Sequence, residues 1–380
     1  MEFKKMIAER HVYAESWKKR TGGKVLGYFE PYFPEEIAYA GGMLPVRILA
    51  EHEPDTLSDK WVYGSCYPAK DMLNQILLGR MDYLDGLINV EGCQWIFNAY
   101  EAATNNNPEL FKYYLFLPDY TEGAKSKDVL RSELALFAEK LGDWAGVSIT
   151  DEKLDKAIEV YNTNRLLLRR ICELRRADRP VILGSEFMDM MLANQVMDKA
   201  EMNVLLAKFI EELESREPYA DMIRIMLVGS ETWNSEFEEM IESLGGNVVI
   251  DEYDNGTSYF WNTIYPQKDR LMSISLRYLD RPHNPVKDTN WRRRPEHIYK
   301  LAEDYHVDGV IIPKQIYCHL HGTDNYAVWK ILRERNMPYH YFERDMFLPK
   351  EETTLHLEAF MNMLRPGLTR LVGWHKKLDI

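Results

Sequence analysis

The sequence predicts an α/β protein made of two duplicated domains with parallel sheets, joined by a helical segment. Short apolar, β-rich runs come in two sets of four, one towards each end of the chain, with helical patterns between the runs. That alternation belongs to parallel sheets covered on both faces. The two sets also share turn chemistry in the same order. PEEIAYAGGMLPVRI runs a helix into Gly41-Gly42 and then a strand, and SEFEEMIESLGGNVVIDE does the same with Gly245-Gly246. Glycine just past a helix end is a C-cap signal. Asp85-Gly86-Leu87-Ile88 and Asp308-Gly309-Val310-Ile311 then open the third strand of each set.

In chain order, MEFKKMIAERHVYAESWKKR reads as a charged amphipathic helix without the apolar stretch of a secretory signal. The first set follows: KVLGYF from Lys24, PVRILA from Pro45, DGLINV from Asp85 and YYLFLP from Tyr113. From Ser126 to Arg216 the pattern is helical. DEKLDKAIEVYNTNRLLLRRICELRRADRP carries apolar residues at i, i+3 and i+4 and stops before Pro180. SEFMDMMLANQVM and MNVLLAKFIEELES make two further helices. The second set is IRIMLVG from Ile223, NVVIDE from Asn247, DGVIIP from Asp308 and YHYFER from Tyr339. The expected boundaries are a first α/β domain over 1–125, a helical connection over 126–216 and a second α/β domain over 217–380. Arg169, Arg170, Arg175, Arg176 and Arg179 read as a solvated face with helix-end charge.

A chain of 380 residues, 46% hydrophobic and 28% charged, has room for two domains of about 150 residues each. Its net charge of −13 argues against a nucleic-acid binder. No apolar run approaches the ~20 residues that span a bilayer. Four scattered cysteines are too few for a disulfide scaffold, so a reducing, cytoplasmic compartment is expected. There is no P-loop, no G-x-G-x-x-G after the first strand, no H-E-x-x-H and no G-x-S-x-G. If ATP or NAD is involved, another protein is expected to handle it.

The cysteines carry the strongest chemical signal. Cys93 lies just beyond the third strand of the first set, and Cys318 just beyond the third strand of the second. Cys66, in YGSCYPAKD, reaches the same edge. Ligands gather at the C-terminal ends of parallel strands, and two facing domains would bring these thiols into one cleft. Three thiolates suit a soft metal centre such as an iron–sulfur cluster with one iron left open. Two other readings stand beside it: small buried hydrophobes, or a Cys3His zinc site completed by His319 or His321. Cys172, on an apolar stripe with Leu168, reads as core.

The segments KVLGYFEPYFPEEIAYAGGMLPVRI, DGLINVEGC, GSETWNSEFEEMIESLGGNVVIDEYDNGTSYFW and RRRPEHIYKLAEDYHVDGVIIPKQIYC resemble the benzoyl-CoA reductase and 2-hydroxyacyl-CoA dehydratase family, from about Lys24 to Arg344. The resemblance implies two Rossmann-like domains with one 4Fe–4S cluster between them, held at the matching positions Cys66, Cys93 and Cys318. It implies a homologous larger catalytic subunit, a separate ATP-hydrolysing iron–sulfur activator and an acyl-CoA substrate. CHLHGTDNYAVWK after the third cysteine departs from the family pattern.

Around these loops Tyr28, Glu30, Tyr32, Ser230, Glu231, Trp233, Glu91, Trp95, His319 and His321 form a group that could line an aromatic pocket with proton donors. Glu91 and His319 are the expected proton-delivering residues. Arg292, Arg293 and Arg294 read as a solvated charge run, with CoA phosphates as the other option. The expected activity is ATP-dependent reduction of benzoyl-CoA to a cyclic diene. Dehydration of a 2-hydroxyacyl-CoA is the runner-up, and a non-catalytic electron-relay subunit the third reading.

Overall fold

The computed structural model describes residues 2–51, 57–282, 284–286, 293–344 and 350–365. Helices α1 (Phe3–Ala8) and α2 (Arg10–Thr21) lead into β1 (Val25–Tyr28), α3 (Glu35–Ala40), β2 (Leu44–Arg47), α4 (Asp59–Val62), α5 (Tyr67–Leu77), β3 (Gly86–Val90), α6 (Gln94–Asn106) and β4 (Phe111–Leu115). Four helices follow: α7 (Ser126–Ala145), α8 (Asp151–Leu174), α9 (Gly184–Asn194) and α10 (Lys199–Glu214). The second half runs β5 (Ile223–Val228), α11 (Glu236–Ser243), β6 (Gly246–Glu252), α12 (Thr257–Phe260), α13 (Arg270–Leu279), α14 (Arg293–Asp304), β7 (Gly309–Gln315), α15 (His319–Glu334), β8 (Tyr339–Arg344) and α16 (Lys350–Leu364).

The strands form two four-stranded sheets, ordered β2-β1-β3-β4 and β6-β5-β7-β8, and every pairing is parallel. The duplicated architecture read from the sequence is therefore present. It extends to register: Leu26 pairs with Gly86 in the first sheet, and Ile225 with Gly309 in the second. The Asp-Gly step explains itself in both halves. Asp85 Oδ2 accepts from the Val25 N–H at 2.9 Å, and Asp308 Oδ2 accepts from the Arg224 N–H at 2.8 Å. Each aspartate thus satisfies a backbone donor at the start of the neighbouring central strand, Val25 of β1 or Arg224 of β5. Glycine follows because the strand pairs closely there; a Cβ on Gly86 would stand 2.8 Å from Leu26 Cδ2.

The twin Gly-Gly turns are built differently. After α3 it is the second glycine, Gly42, that takes positive φ (74°), whereas after α11 it is the first, Gly245 (84°). Helix α11 ends one residue closer to its strand, because β6 already begins at Gly246.

Strands β1, β3 and β6 are buried throughout, as strands covered on both faces must be. The helices after β4 are layers over both sheets. Helix α7 and the start of α8 pack on the first sheet together with Tyr278 of α13. Helices α9 and α10 join the core of the second, where Phe3 of α1 meets Phe209 edge-on at 5.1 Å. The two halves are also latched by charge at the first turn of α3, where a helix N-terminus favours carboxylates. Glu36 pairs with Arg165 of α8 and accepts from Tyr278 Oη at 3.1 Å. Glu35 pairs with Lys199 of α10 at 3.2 Å and accepts from Tyr259 Oη at 2.5 Å.

Two charge runs depart from the sequence reading. Arg175 does not lie on a solvated face: it is 1% exposed, bonds Asp251 at 3.1 Å and stacks on Phe187 at 3.7 Å. Arg294 is equally buried, between Glu252 and Asp324. Spacing alone does not separate a solvated arginine from one that neutralises an acid on a distant strand. Arg293 is exposed and pairs with Glu122, while Arg292 lies outside the described residues. Cys172 is core, as expected, with its sulfur 3.2 Å from Tyr305 Oη. No helix of the described residues is long and apolar enough to cross a membrane.

Candidate metal centre at three helix N-termini

Each of the three cysteines singled out by sheet topology is the N-cap of a helix: Cys66 of α5, Cys93 of α6 and Cys318 of α15. All three have extended backbone and none closes a cap hydrogen bond with its sulfur. The sulfurs thus sit at positive helix ends, a setting that favours thiolate. Tyr317, at φ 65°, takes the left-handed turn that delivers Cys318 to its helix.

Burial opposes the thiolate form. It pushes Cys93 up to about 12, with the Glu30 carboxylate adding to it. It pushes Cys318 up to about 11, with Asp254 and Glu231 adding. Cys66 is driven higher still by burial, then by Cys93 and Cys318. Thiols from both sheets therefore lie within electrostatic reach of one another. The amides of Ala69, Ile96 and His321 pull each sulfur back towards thiolate.

Soft sulfur donors at helix ends and crowded like charges fit a cationic thiolate-bound cluster, which would deprotonate its ligands outright. Among the described residues no three His, Cys, Asp or Glu side chains close on a single ion. The Cys3His zinc arrangement is thus not assembled.

Buried charges surround the thiols. Glu30, 5% exposed, accepts from the Cys93 N–H at 3.2 Å, and burial pushes its carboxyl up to about 8. Glu231 is held by Arg47 at 3.0 Å, and burial pushes it up too. Arg47 also donates to Gln195 Oε1 at 2.9 Å. Asp254 accepts from Asn284 and stands 3.8 Å from His321 Nε2. Arg281 lies over the Tyr32 ring at 4.8 Å.

The named candidates fall into distinct places. Glu91 Oε2 accepts from the Leu117 N–H at 3.4 Å, beside β4, while Glu30 is the carboxylate at Cys93. His319 is exposed at the first position of α15, while His321 is 2% exposed and faces Asp254. Tyr28 and Tyr32 are buried, and Trp233 lies under Arg344 at 5.1 Å. Tyr63 and Tyr317 are 83% and 56% exposed and do not wall a pocket. A cavity of about 350 Å³ is lined by α1, Glu186, Asp189 and Phe209, far in sequence from every cysteine loop. Asp254 and Arg47 escaped the sequence reading. Both stand at C-terminal strand ends, so the sheet-edge rule that found the cysteines would have found them.

Two parallel sheets with thiols gathered at their strand ends define a duplicated, two-domain α/β protein. The family model for the D-component of 2-hydroxyglutaryl-CoA dehydratase matches residues 31–364, and the chain belongs to that family. It is 23% identical to the β subunit of (R)-phenyllactyl-CoA dehydratase of Clostridium sporogenes, over 96% of this chain and 98% of that one. It is 24% identical to one of the subunits of benzoyl-CoA reductase of Thauera aromatica, over 80% and 81%. To the β subunit of (R)-2-hydroxyglutaryl-CoA dehydratase of Acidaminococcus fermentans it is 28% identical, over 56% of each. These relatives are subunits of larger acyl-CoA enzymes, and the chain is an enzyme subunit of the same family.

Proposed function

We propose that this chain is the iron–sulfur subunit of a 2-hydroxyacyl-CoA dehydratase, and that Cys66, Cys93 and Cys318 hold one 4Fe–4S cluster. The observation that carries the reading is the meeting of three N-cap thiols from both sheets. When bound, the cluster would supply single low-potential electrons to a thioester carbonyl. The chain's own residues hold the thiols at helix ends and surround the centre with buried carboxyls. A homologous larger subunit and an ATP-hydrolysing iron–sulfur activator complete the proposal, in keeping with the missing nucleotide motifs.

Dehydration is preferred to ring reduction on one ground. The phenyllactyl-CoA dehydratase subunit matches over nearly the whole of both chains. Reduction of benzoyl-CoA is the second reading, on the likeness to the Thauera aromatica protein. Electron counting separates the two. Dehydration returns its electron and needs only catalytic priming, whereas ring reduction consumes two electrons per product. The complex, purified anaerobically, is expected to turn 2-hydroxyacyl-CoA into enoyl-CoA with trace reductant. Stoichiometric electron consumption with benzoyl-CoA, and none of that dehydration, would refute the reading. Acyl-CoA bound only in the partner subunit would make this chain an electron relay.

A further inference from the structure

His321 lies at the third position of α15, whose N-cap is Cys318. Helical side chains lean back towards the helix N-terminus, which aims this ring at the thiol centre. The ring is 2% exposed, and among the described residues neither of its nitrogens has a hydrogen-bond partner. A neutral imidazole carries one N–H whichever tautomer it adopts, so a buried donor goes unused. Buried polar groups without partners are rare and call for one. Asp254 Oδ2, at 3.8 Å from Nε2, is too far for a hydrogen bond but close enough to fix the ring's orientation. Asp254 is itself secured by Asn284. The neighbouring acids Glu231 and Glu252 are taken up by Arg47 and Arg294 and do not compete for the ring.

We infer that His321 donates its ring N–H to a sulfur of the iron–sulfur centre held by Cys66, Cys93 and Cys318, with Asp254 as the positioning residue. The inference rests on the cluster reading above. A donor to cluster sulfur stabilises the more negative, reduced form and raises its potential.

The test is an EPR-monitored redox titration of the complete complex, purified anaerobically, with iron counted in every sample. His321→Leu should keep its iron and lower the midpoint. A tenfold loss in relative electron affinity corresponds to about 59 mV for a one-electron couple. His321→Gln, which keeps an N–H, should recover most of the shift, and Asp254→Asn should show part of it. Asn325→Leu is the control. Asn325 is buried and without a hydrogen-bond partner among the described residues, but it lies seven residues beyond Cys318, roughly 10 Å along the helix. An unchanged midpoint in His321→Leu, or an equal shift in Asn325→Leu, would overturn the inference. Should His321→Leu fail to fold, pulsed EPR of the reduced wild type with isotope-labelled histidine decides instead. A histidine nitrogen coupled to the cluster is expected, and none would overturn the inference. A wild type without iron would sink the cluster reading itself, a separate failure.

Discussion

Replacing Arg165 by methionine tests whether the latch at α3 holds the two halves together. Arg165 and Glu36 have side chains 2% and 0% exposed and pair directly. Burial pushes Glu36 up, but Arg165 and Arg277 outweigh it, so its folded pKa lies below the ordinary carboxylate value. Removing the arginine leaves a buried charge with the more distant Arg277 and a Tyr278 hydroxyl that it shares with the Phe33 carbonyl. Stranding one partner of a buried pair costs about 3–5 kcal/mol. The sign with pH follows. A depressed folded pKa contributes stability above the unfolded value of about 4.3, lost as pH falls through the folded pKa. In Arg165→Met burial dominates and the folded pKa rises above the unfolded one. The deficit is then largest at neutral pH and shrinks as pH falls through about 4.3, below which both states of the variant are protonated. Urea unfolding followed by circular dichroism at pH 7.5 and pH 5 measures it. Glu36→Gln with Arg165→Met should recover most of the loss, since a neutral pair strands nothing. A single variant within about 1 kcal/mol of wild type, with a deficit independent of pH, would refute the reasoning.

Cys66→Ala, Cys93→Ala and Cys318→Ala should each lose about four irons per chain, whereas Cys172→Ala keeps them; iron and sulfide analysis of anaerobic protein decides. Glu238 is 1% exposed, among the described residues neither carboxyl oxygen has a partner, and burial pushes it up to about 8. Its raised pKa makes the fold lose stability as pH climbs from about 4.3 towards 8. Glu238→Gln should therefore be more stable than wild type at pH 8, by up to about 5 kcal/mol, and equal at pH 4, as read by denaturant titration. Gly245→Ala should cost about 1 kcal/mol through its φ of 84° alone, because a Cβ there meets nothing within 4 Å. Gly245→Asn, which tolerates that conformation, should cost less in the same assay.

The duplicated parallel architecture was legible in the sequence because its causes are local. Apolar runs of strand length, glycines after helices and the twin Asp-Gly steps act within a few residues, and Asp85 and Asp308 do the same task in both sheets. The cysteine positions were legible for a related reason: the ends of parallel strands are where a chain of this class exposes chemistry, and each thiol follows a recognisable strand or turn. What the tertiary structure alone decided is which charges are buried and which polar groups converge. Arg175, Arg294, Arg47 and Asp254 look like surface residues in sequence, and each is neutralised or held by a partner far away along the chain. Glu91 and His319 flank the cysteines in sequence; Glu91 turns to the Leu117 N–H beside β4 and His319 lies at the surface, while Glu30 accepts from the Cys93 N–H and His321 faces Asp254. Adjacency in sequence says little about which face a side chain takes. A one-residue step reverses direction along a strand and turns it about 100° around a helix, and only the packing of the two sheets sets that phase.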